Sequence, residues 1–155
     1  MTPEMLQDAL CEEIKRILSG RTYLTPAGKH VPMNVFPQSI PLIETDEEED
    51  PFPYAIVRMS DGADDNVYDS KYIVEMVVIV GIYSEDKQAQ GHRELLNVFN
   101  LVYERFKKNP SLDNQFVYDG GYRWTIQEDD YFPYYFGAFK MNFAIPAIRR
   151  EDPFA

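Results

Sequence analysis

The sequence has very few of the side chains that carry most enzyme chemistry. Its 155 residues include one cysteine, Cys11, and two histidines, His30 and His92, which stand far apart along the chain. A single cysteine excludes a disulfide within the chain and a paired-cysteine metal or redox site. The common phosphate-binding, zinc-binding and nucleophile-elbow motifs are also absent. We therefore expect no catalytic residue, no metal, no cofactor and no enzymatic activity, and we interpret these three residues as surface or capping residues.

Positive charge is also scarce. The chain has 15 Lys and Arg residues against 26 Asp and Glu residues, which gives a formal net charge of -11. Such a balance repels phosphate backbones and anionic membranes, so we expect neither specific nucleic-acid binding nor membrane association. The most apolar run, residues 72–83, is too short to span a bilayer and contains Glu75. No secretory signal is visible after Met1, and we expect a soluble protein of a reducing cytoplasm.

Acidic residues cluster at three places in the sequence. The densest run, residues 44–50, has six acids in seven residues and lies in an irregular, proline-rich segment, 21–53. The second group is Asp61, Asp64, Asp65 and Asp69, and the third is Glu128, Asp129 and Asp130. Paired carboxylates can bind a divalent cation or transfer protons, but neither group has a recognised ligand order. We interpret all three as solvated loops, and a carboxylate-metal hydrolase is the alternative if the last two groups converge.

The hydrophobic periodicity predicts one α+β domain, with a mainly antiparallel sheet packed against two helices. The helices are predicted over residues 3–19 and 86–108, the second capped by Ser84. The strands are predicted over residues 54–59, 72–83, 115–118, 122–128 and 135–145, with short edge pieces around 31–36 and a turn-rich loop at 60–70. Because residues 72–83 are apolar at both parities, we expect this strand to be covered on both faces or nearly so.

Six aromatic residues stand within residues 131–139, directly after the third acidic group. From residue 135 onward, one alternating set of residues is apolar, and most of its side chains are large. This set is Tyr135, Gly137, Phe139, Met141, Phe143 and Ile145. A period of two is typical of one face of a sheet, where each ring buries a large area against a helix. A stacking platform for bases or sugars is the alternative, although such platforms usually lie among cations.

Several segments of the chain carry a likeness to a known family. They are PFPYAIVRM (51–59) and the acidic loop after it, VIVGIYSED (78–86), GHRELLNVFNLVYERF (91–106) and YRWTIQEDDYFPYYFGAFKMNFAIPAIRRED (122–152). Together they resemble the tail terminator, or tail completion, proteins of long-tailed bacteriophages and prophages. The likeness consists of strand patterns, aromatic residues and acids rather than of an invariant site, and residues 21–50 contribute little to it.

The resemblance implies a homo-oligomer, a hexameric ring that caps the finished tail tube, stops tube polymerisation and offers a surface for head-tail joining. It implies contacts with the tail tube protein and with head-connector proteins, first in the host cytoplasm and then in the virion tail. Neither catalysis nor a cofactor belongs to this role. Another head-tail connector or minor tail component is the alternative, as is an acidic monomer that mimics nucleic acid.

Under this interpretation, two groups of residues have expected roles. Tyr131, Phe132 and Tyr134 stand at the entrance of the last strand, where a neighbouring subunit can cover them. The acids of either group could line a channel through which DNA passes, because an acidic wall does not hold phosphate. These channel candidates are Asp61, Asp64, Asp65, Glu128, Asp129 and Asp130.

Overall fold

The structure, a computed structural model, describes residues 2–41, 51–64 and 71–146. The helices are α1 (Pro3–Ile17) and α2 (His92–Lys108). The strands are β1 (Tyr23–Leu24), β2 (His30–Val31), β3 (Asn34–Pro37), β4 (Tyr54–Asp64), β5 (Tyr72–Tyr83), β6 (Ser111–Leu112), β7 (Phe116–Tyr118), β8 (Arg123–Ile126) and β9 (Tyr134–Ile145). The acidic run 44–50 and the residues Asp65 and Asp69 lie outside the described residues, so the predictions made for them stay predictions.

Strands β5 and β9 form the centre of a seven-stranded sheet. The strand order is β3-β4-β5-β9-β7-β6, and β8 also pairs with β9. Strands β5 and β9 are antiparallel over their full lengths, from Tyr72 opposite Ile145 to Tyr83 opposite Tyr134. Within this sheet β3 and β4 are parallel, whereas every other described pair is antiparallel. The predicted α+β class with a mainly antiparallel sheet is therefore confirmed.

Helix α1 begins where its capping signal predicts. The side-chain oxygen of Thr2 accepts a hydrogen bond from the Met5 N–H at 3.2 Å, and Pro3 takes the first helical position. Its buried face includes Leu6, Leu10 and Ile14, which are fully covered.

Neither helix in the described part of the chain is long and apolar enough to cross a membrane.

The predicted start of α2 is wrong. The helix begins at His92 after Gly91, which has no side chain to cap it, and not near Ser84. The Ser84 hydroxyl instead accepts a hydrogen bond from the Asp86 N–H at 3.3 Å, while the Ser84 N–H donates to the Pro133 carbonyl at 2.9 Å. A serine that can cap a helix is equally suited to a local turn, and here the turn prevails.

The predicted end of β4 is also wrong. The sequence predicts that this strand ends at residue 59, but it continues through Asp64 because the polar residues pair with β5. A β-bulge at Ser60 accompanies this extension, and the Ser60 hydroxyl donates to the Glu75 carboxylate at 2.9 Å. Asp61 and Asp64 therefore lie on a strand rather than in a solvated loop, although both are exposed.

The helices and one face of the sheet enclose the core. The Phe99 ring of α2 lies 5.0 Å from the Phe139 ring, and the Phe106 ring lies 5.2 Å from the Phe143 ring. Gly137, Phe139, Met141, Phe143 and Ile145 are all buried, which confirms the alternation predicted for β9 from residue 137 onward. Strand β5 has no exposed residue, although Val77 and Ile79 are partly exposed on the face opposite the helices, which agrees with the near-complete coverage predicted for this strand.

Candidate interaction surface

The face of the sheet that points away from the helices is the main candidate for function. Alternate residues of a strand point to opposite faces, so Val78 and Phe139 face the helices while Ile79 and Ala138 face the other way. Ile79 and Ala138 are partly exposed, and in the described ranges no helix lies over them. We call this surface the open face.

The strand register arranges the side chains of the open face in rows that cross the sheet. One row, from β4 through β5 and β9 to β8, consists of Arg58, Val77, Lys140 and Arg123, and we call it the cationic row. The adjacent row consists of Phe36, Ile56, Ile79, Ala138 and Thr125, and we call it the apolar row. Three positive charges thus stand beside an apolar strip on a chain whose net charge is -11.

The cations of this row are poorly neutralised within the described part of the chain. Lys140 Nζ lies 3.7 Å from Glu75 Oε2, and both side chains are about one-third exposed, so this pair contributes little. Arg58 Nε donates to the Gln38 carbonyl at 3.0 Å, a neutral partner. Arg123 is exposed and forms no ion pair with any described residue. The row therefore keeps a surplus of positive charge.

A shallow groove of about 250 Å³ lies at the β8 end of the cationic row. It is lined by Val77, Arg123, Trp124, Thr125, Ala138, Phe139 and Lys140. Trp124, the chain's one tryptophan, is 53% exposed. The open face here places the apolar side chains of Val77 and Ala138 beside the cations of Lys140 and Arg123, which suits a ligand that is both negatively charged and partly apolar.

The outer edge of β8 has no partner strand in the described residues. The Gln127 N–H donates to the Phe136 carbonyl at 3.0 Å, so the alternate residues Thr125 and Arg123 also bond to β9. It follows that the backbone N–H and C=O groups of Trp124 and Ile126 point away from β9. An exposed strand edge of this kind can add an extended segment of another chain.

Five rings form a cluster at the end of the open face where β5 ends and β9 begins. The Phe52 ring lies 5.0 Å from Tyr54, 5.0 Å from Tyr134 and 5.7 Å from Phe136, and Tyr83 lies 5.5 Å from Tyr134. We call this the aromatic cluster. The crowded stretch 131–139 is thus divided, since Tyr134 and Phe136 join this cluster whereas Phe139 enters the core.

The residues predicted for a subunit contact differ in exposure. Tyr131 is 52% exposed and Phe132 is 48% exposed, and both precede β9. Tyr134 is only partly exposed, because its ring packs between Phe52 and Tyr83. Tyr131 and Phe132 are therefore available to a second molecule, while most of Tyr134 is used within the chain.

Glu128, Asp129 and Asp130 directly precede these two exposed rings, and we call residues 128–132 the acidic-aromatic segment. All five side chains are exposed. The segment is held at both ends, because Gln127 bonds to Phe136 and the Pro133 carbonyl accepts from Ser84. Asp130 Oδ1 accepts the Phe132 N–H at 3.1 Å, and none of the three acids forms an ion pair with a described cation.

The described members of the second and third acidic groups do not converge in the structure. Asp61 lies opposite Glu75 and Asp64 opposite Tyr72, near the start of β5, whereas residues 128–130 lie near its end. At about 3.3 Å per residue the groups are on the order of 30 Å apart. The described acids therefore lack the convergence that a carboxylate-metal hydrolase requires. Among the described residues, no three His, Cys, Asp or Glu side chains are placed to bind a metal together.

The remaining reactive side chains are placed separately. The interpretation of Cys11 as a surface or capping residue is wrong, because Cys11 is 5% exposed within the core, where burial raises the pKa of its thiol to about 11. His30 lies on the exposed strand β2, and His92 is the first residue of α2. The thiol is therefore neutral near pH 7, which is unfavourable for a nucleophile.

A second hollow, of about 280 Å³, lies beside the β1–β2 hairpin. It is lined by Arg21, Thr22, Tyr23, Glu94 and Asn97. Burial raises the pKa of the Glu94 carboxyl, and the nearby His30 acts in the opposite direction. The buried Tyr23 hydroxyl has no hydrogen-bond partner among the described residues.

The cationic row was not found from the sequence. Arg58, Lys140 and Arg123 come from three strands, and only the register of those strands places them side by side. The signal available in the sequence was that each of these residues stands between two apolar residues of its predicted strand, so that its side chain points to the opposite face.

No protein-family model matches the chain, and no curated protein matches it significantly.

Proposed function

We propose that this chain is a structural subunit of a phage tail, which caps the tail tube as a hexameric ring, stops tube polymerisation and presents a surface for head-tail joining. The observation that carries the proposal is the open face, where the apolar row and the cationic row lie without a covering helix in the described ranges. In the apolar row Ile56 is buried, whereas Phe36, Ile79 and Ala138 are partly exposed, and partly exposed apolar side chains beside charged ones are typical of a site that binds another protein.

The exposed rings of the acidic-aromatic segment support the same proposal. Tyr131 and Phe132 are adjacent and about half exposed, and aromatic side chains are enriched where protein surfaces meet. The family resemblance supplies the particular assembly, and a tail tube protein and a head-connector protein are the partners that it names. In this role the chain acts by binding and needs neither catalysis nor a cofactor.

The exposed end of β4 suits the wall of the channel. Asp61 and Asp64 lie on exposed positions of this strand, away from the aromatic cluster. If this end faces the ring axis, the carboxylates repel the phosphate backbone of DNA and allow it to pass.

Size-exclusion chromatography with light scattering, followed by negative-stain imaging, tests the assembly. We expect a ring with six times the 18.1 kDa chain mass. Adding the protein to a polymerising tail tube protein should cap the tubes and stop their growth. A chain that stays monomeric both alone and in the presence of tail tubes would show that the proposal is wrong.

The double change Tyr131→Ser and Phe132→Ser tests the role of the exposed rings. We expect weaker assembly with a folded monomer, because both side chains are about half exposed and make few core contacts. The matched control is Met5→Ser, which alters a side chain that is 46% exposed on α1, away from the open face. Equal loss of assembly in the control would contradict a specific role for Tyr131 and Phe132.

A further inference from the structure

We propose that the acidic-aromatic segment of one copy docks on the cationic row of the next copy. This inference rests on the proposed function, since it identifies the subunit contact of the ring. The occupant of the cationic row is thus a second copy of this chain. The same assignment places Glu128, Asp129 and Asp130 at the contact and leaves Asp61 and Asp64 for the channel wall.

Charge complementarity is the first argument. The segment carries three exposed carboxylates, on Glu128, Asp129 and Asp130, and the described cations neutralise none of them. The row presents three cations, of which Arg123 has no ionic partner in the described part of the chain and Lys140 has only the loose pair with Glu75. Opposite charges arranged on two surfaces select the partner and set the register of docking.

Apolar complementarity is the second argument. Tyr131 and Phe132 directly follow the three acids, and both rings are about half exposed. The groove at the cationic row offers the apolar side chains of Val77 and Ala138 on the open face. Aromatic anchors that fill a groove between charged groups are the usual energetic centre of a protein interface.

The free edge of β8 adds hydrogen bonds to this contact. The N–H and C=O groups of Trp124 and Ile126 point away from β9, next to the groove. An extended segment that enters the groove can bond to them and so become an additional strand.

The acids of the segment form no ion pair with the cationic row of their own chain among the described residues. The ends of the segment are held at Phe136 and Ser84, at the end of the sheet where β9 begins. Lys140 lies four positions beyond Phe136 along β9, about 13 Å away at the rise of a strand. The negative and positive groups of one chain are therefore apart in the structure, and a second copy can bring them together.

The orientation of the two surfaces favours a ring over a closed pair. The cationic row faces outward from the sheet, whereas the segment lies at the end of the strands. When the segment of one copy docks on the cationic row of another, the two copies use different surfaces. The pair then still has one unoccupied segment and one unoccupied cationic row. Such a head-to-tail contact continues from copy to copy and closes when the rotation fits.

Reciprocal charge reversal tests the contact. The row variant carries Arg123→Glu and Lys140→Glu, and the segment variant carries Glu128→Lys, Asp129→Lys and Asp130→Lys. Each variant alone should assemble at least about tenfold more weakly than the original chain, measured by light scattering at one fixed salt concentration. An equimolar mixture of the two should regain assembly, because each altered surface then meets its charge complement.

A control and a milder variant keep the test decisive. Lys15→Glu with Lys108→Glu makes the same change in net charge on the two helices, and it should leave assembly unchanged. Arg123→Glu alone is the milder form, because this side chain is exposed and unpaired among the described residues. Circular dichroism confirms that each variant is folded.

The possible results separate this contact from the proposed function. A mixture that fails to regain assembly, a control as weak as the row variant, or an original chain that never self-associates would overturn the contact. Rings that persist in both reversed variants would also overturn it while leaving the proposed function intact. Recovery in the mixture as an open filament or a dimer would support the contact and contradict the hexameric ring.

Discussion

Gly137 lies where Leu95 and Phe99 of α2 pack closely on β9, and replacing it with alanine should destabilise the fold. An added Cβ would lie 2.8 Å from Leu95 Cδ2, 2.9 Å from the Thr125 carbonyl oxygen and 3.0 Å from Phe99 Cζ. The leucine methyl can shift, but the Thr125 oxygen belongs to the backbone of β8. Moving that oxygen would disturb the pairing of β8 with β9, so the site cannot relax easily.

The expected size of this effect comes from two opposing contributions. Overpacking a close-packed interior costs about 1–3 kcal/mol, and the fixed backbone oxygen places Gly137→Ala in the upper part of that range. Alanine in a strand recovers about 0.5–1 kcal/mol of backbone entropy relative to glycine. We therefore expect the free energy of unfolding to fall by about 1.5–2 kcal/mol. In a chain of this size the melting temperature should then fall by about 3–8 °C.

Chemical denaturation followed by far-ultraviolet circular dichroism measures the change. Gly62→Ala is the matched control, because it lies on β4 and the nearest atom to an added Cβ is 3.6 Å away. This variant should be as stable as the original chain or slightly more stable. If Gly137→Ala proved as stable as Gly62→Ala, the close approach of α2 to β9 would be refuted.

Two further predictions concern single titratable side chains. The Glu13 carboxylate accepts a hydrogen bond from Arg105 Nε at 2.8 Å and another from Arg16, so Glu13→Gln should lower the free energy of unfolding at pH 7 by about 1–3 kcal/mol. These bonds hold the pKa of Glu13 below its ordinary value. The difference in stability between Glu13→Gln and the original chain should therefore shrink as the pH falls below about 4.5, where the carboxylate becomes protonated. Equal stability of the two proteins at pH 7 would contradict this prediction. Because burial raises the pKa of Cys11 to about 11, a thiol reagent at pH 8 should label the native protein far more slowly than the unfolded protein. Equal labelling rates for the native and the unfolded protein would show that Cys11 is accessible. Because the thiol ionises at a lower pH in the unfolded protein than in the native one, this cysteine should lower the free energy of unfolding as the pH rises from about 9 through 11.

The central strands were predictable because their signals are local. The apolar run 72–83 matches β5 in both bounds, and the alternation that begins at residue 135 matches β9 within one residue. Thr2 and Pro3 likewise mark the start of α1. In each case neighbouring residues carry the pattern, so periodicity and capping chemistry suffice.

The errors arose where distant residues decide the outcome. Residues 60–64 are polar and turn-like, yet pairing with β5 draws them into β4. Ser84 has the chemistry of a helix cap, but its contacts with Asp86 and Pro133 place it in a turn. Local propensity is weak beside the hydrogen bonds and packing that a neighbouring strand supplies.

The sequence by itself determined the α+β class, the central strands, the buried alternation of β9 and the scarcity of catalytic side chains. Only the tertiary structure decided which side chains share a surface. Arg58, Lys140 and Arg123 form one row because β4, β5, β9 and β8 pair in a particular register, and a shift of one residue would turn a strand's side chains to the other face. Composition and periodicity report which residues alternate along one strand, whereas register between strands depends on packing across the whole sheet.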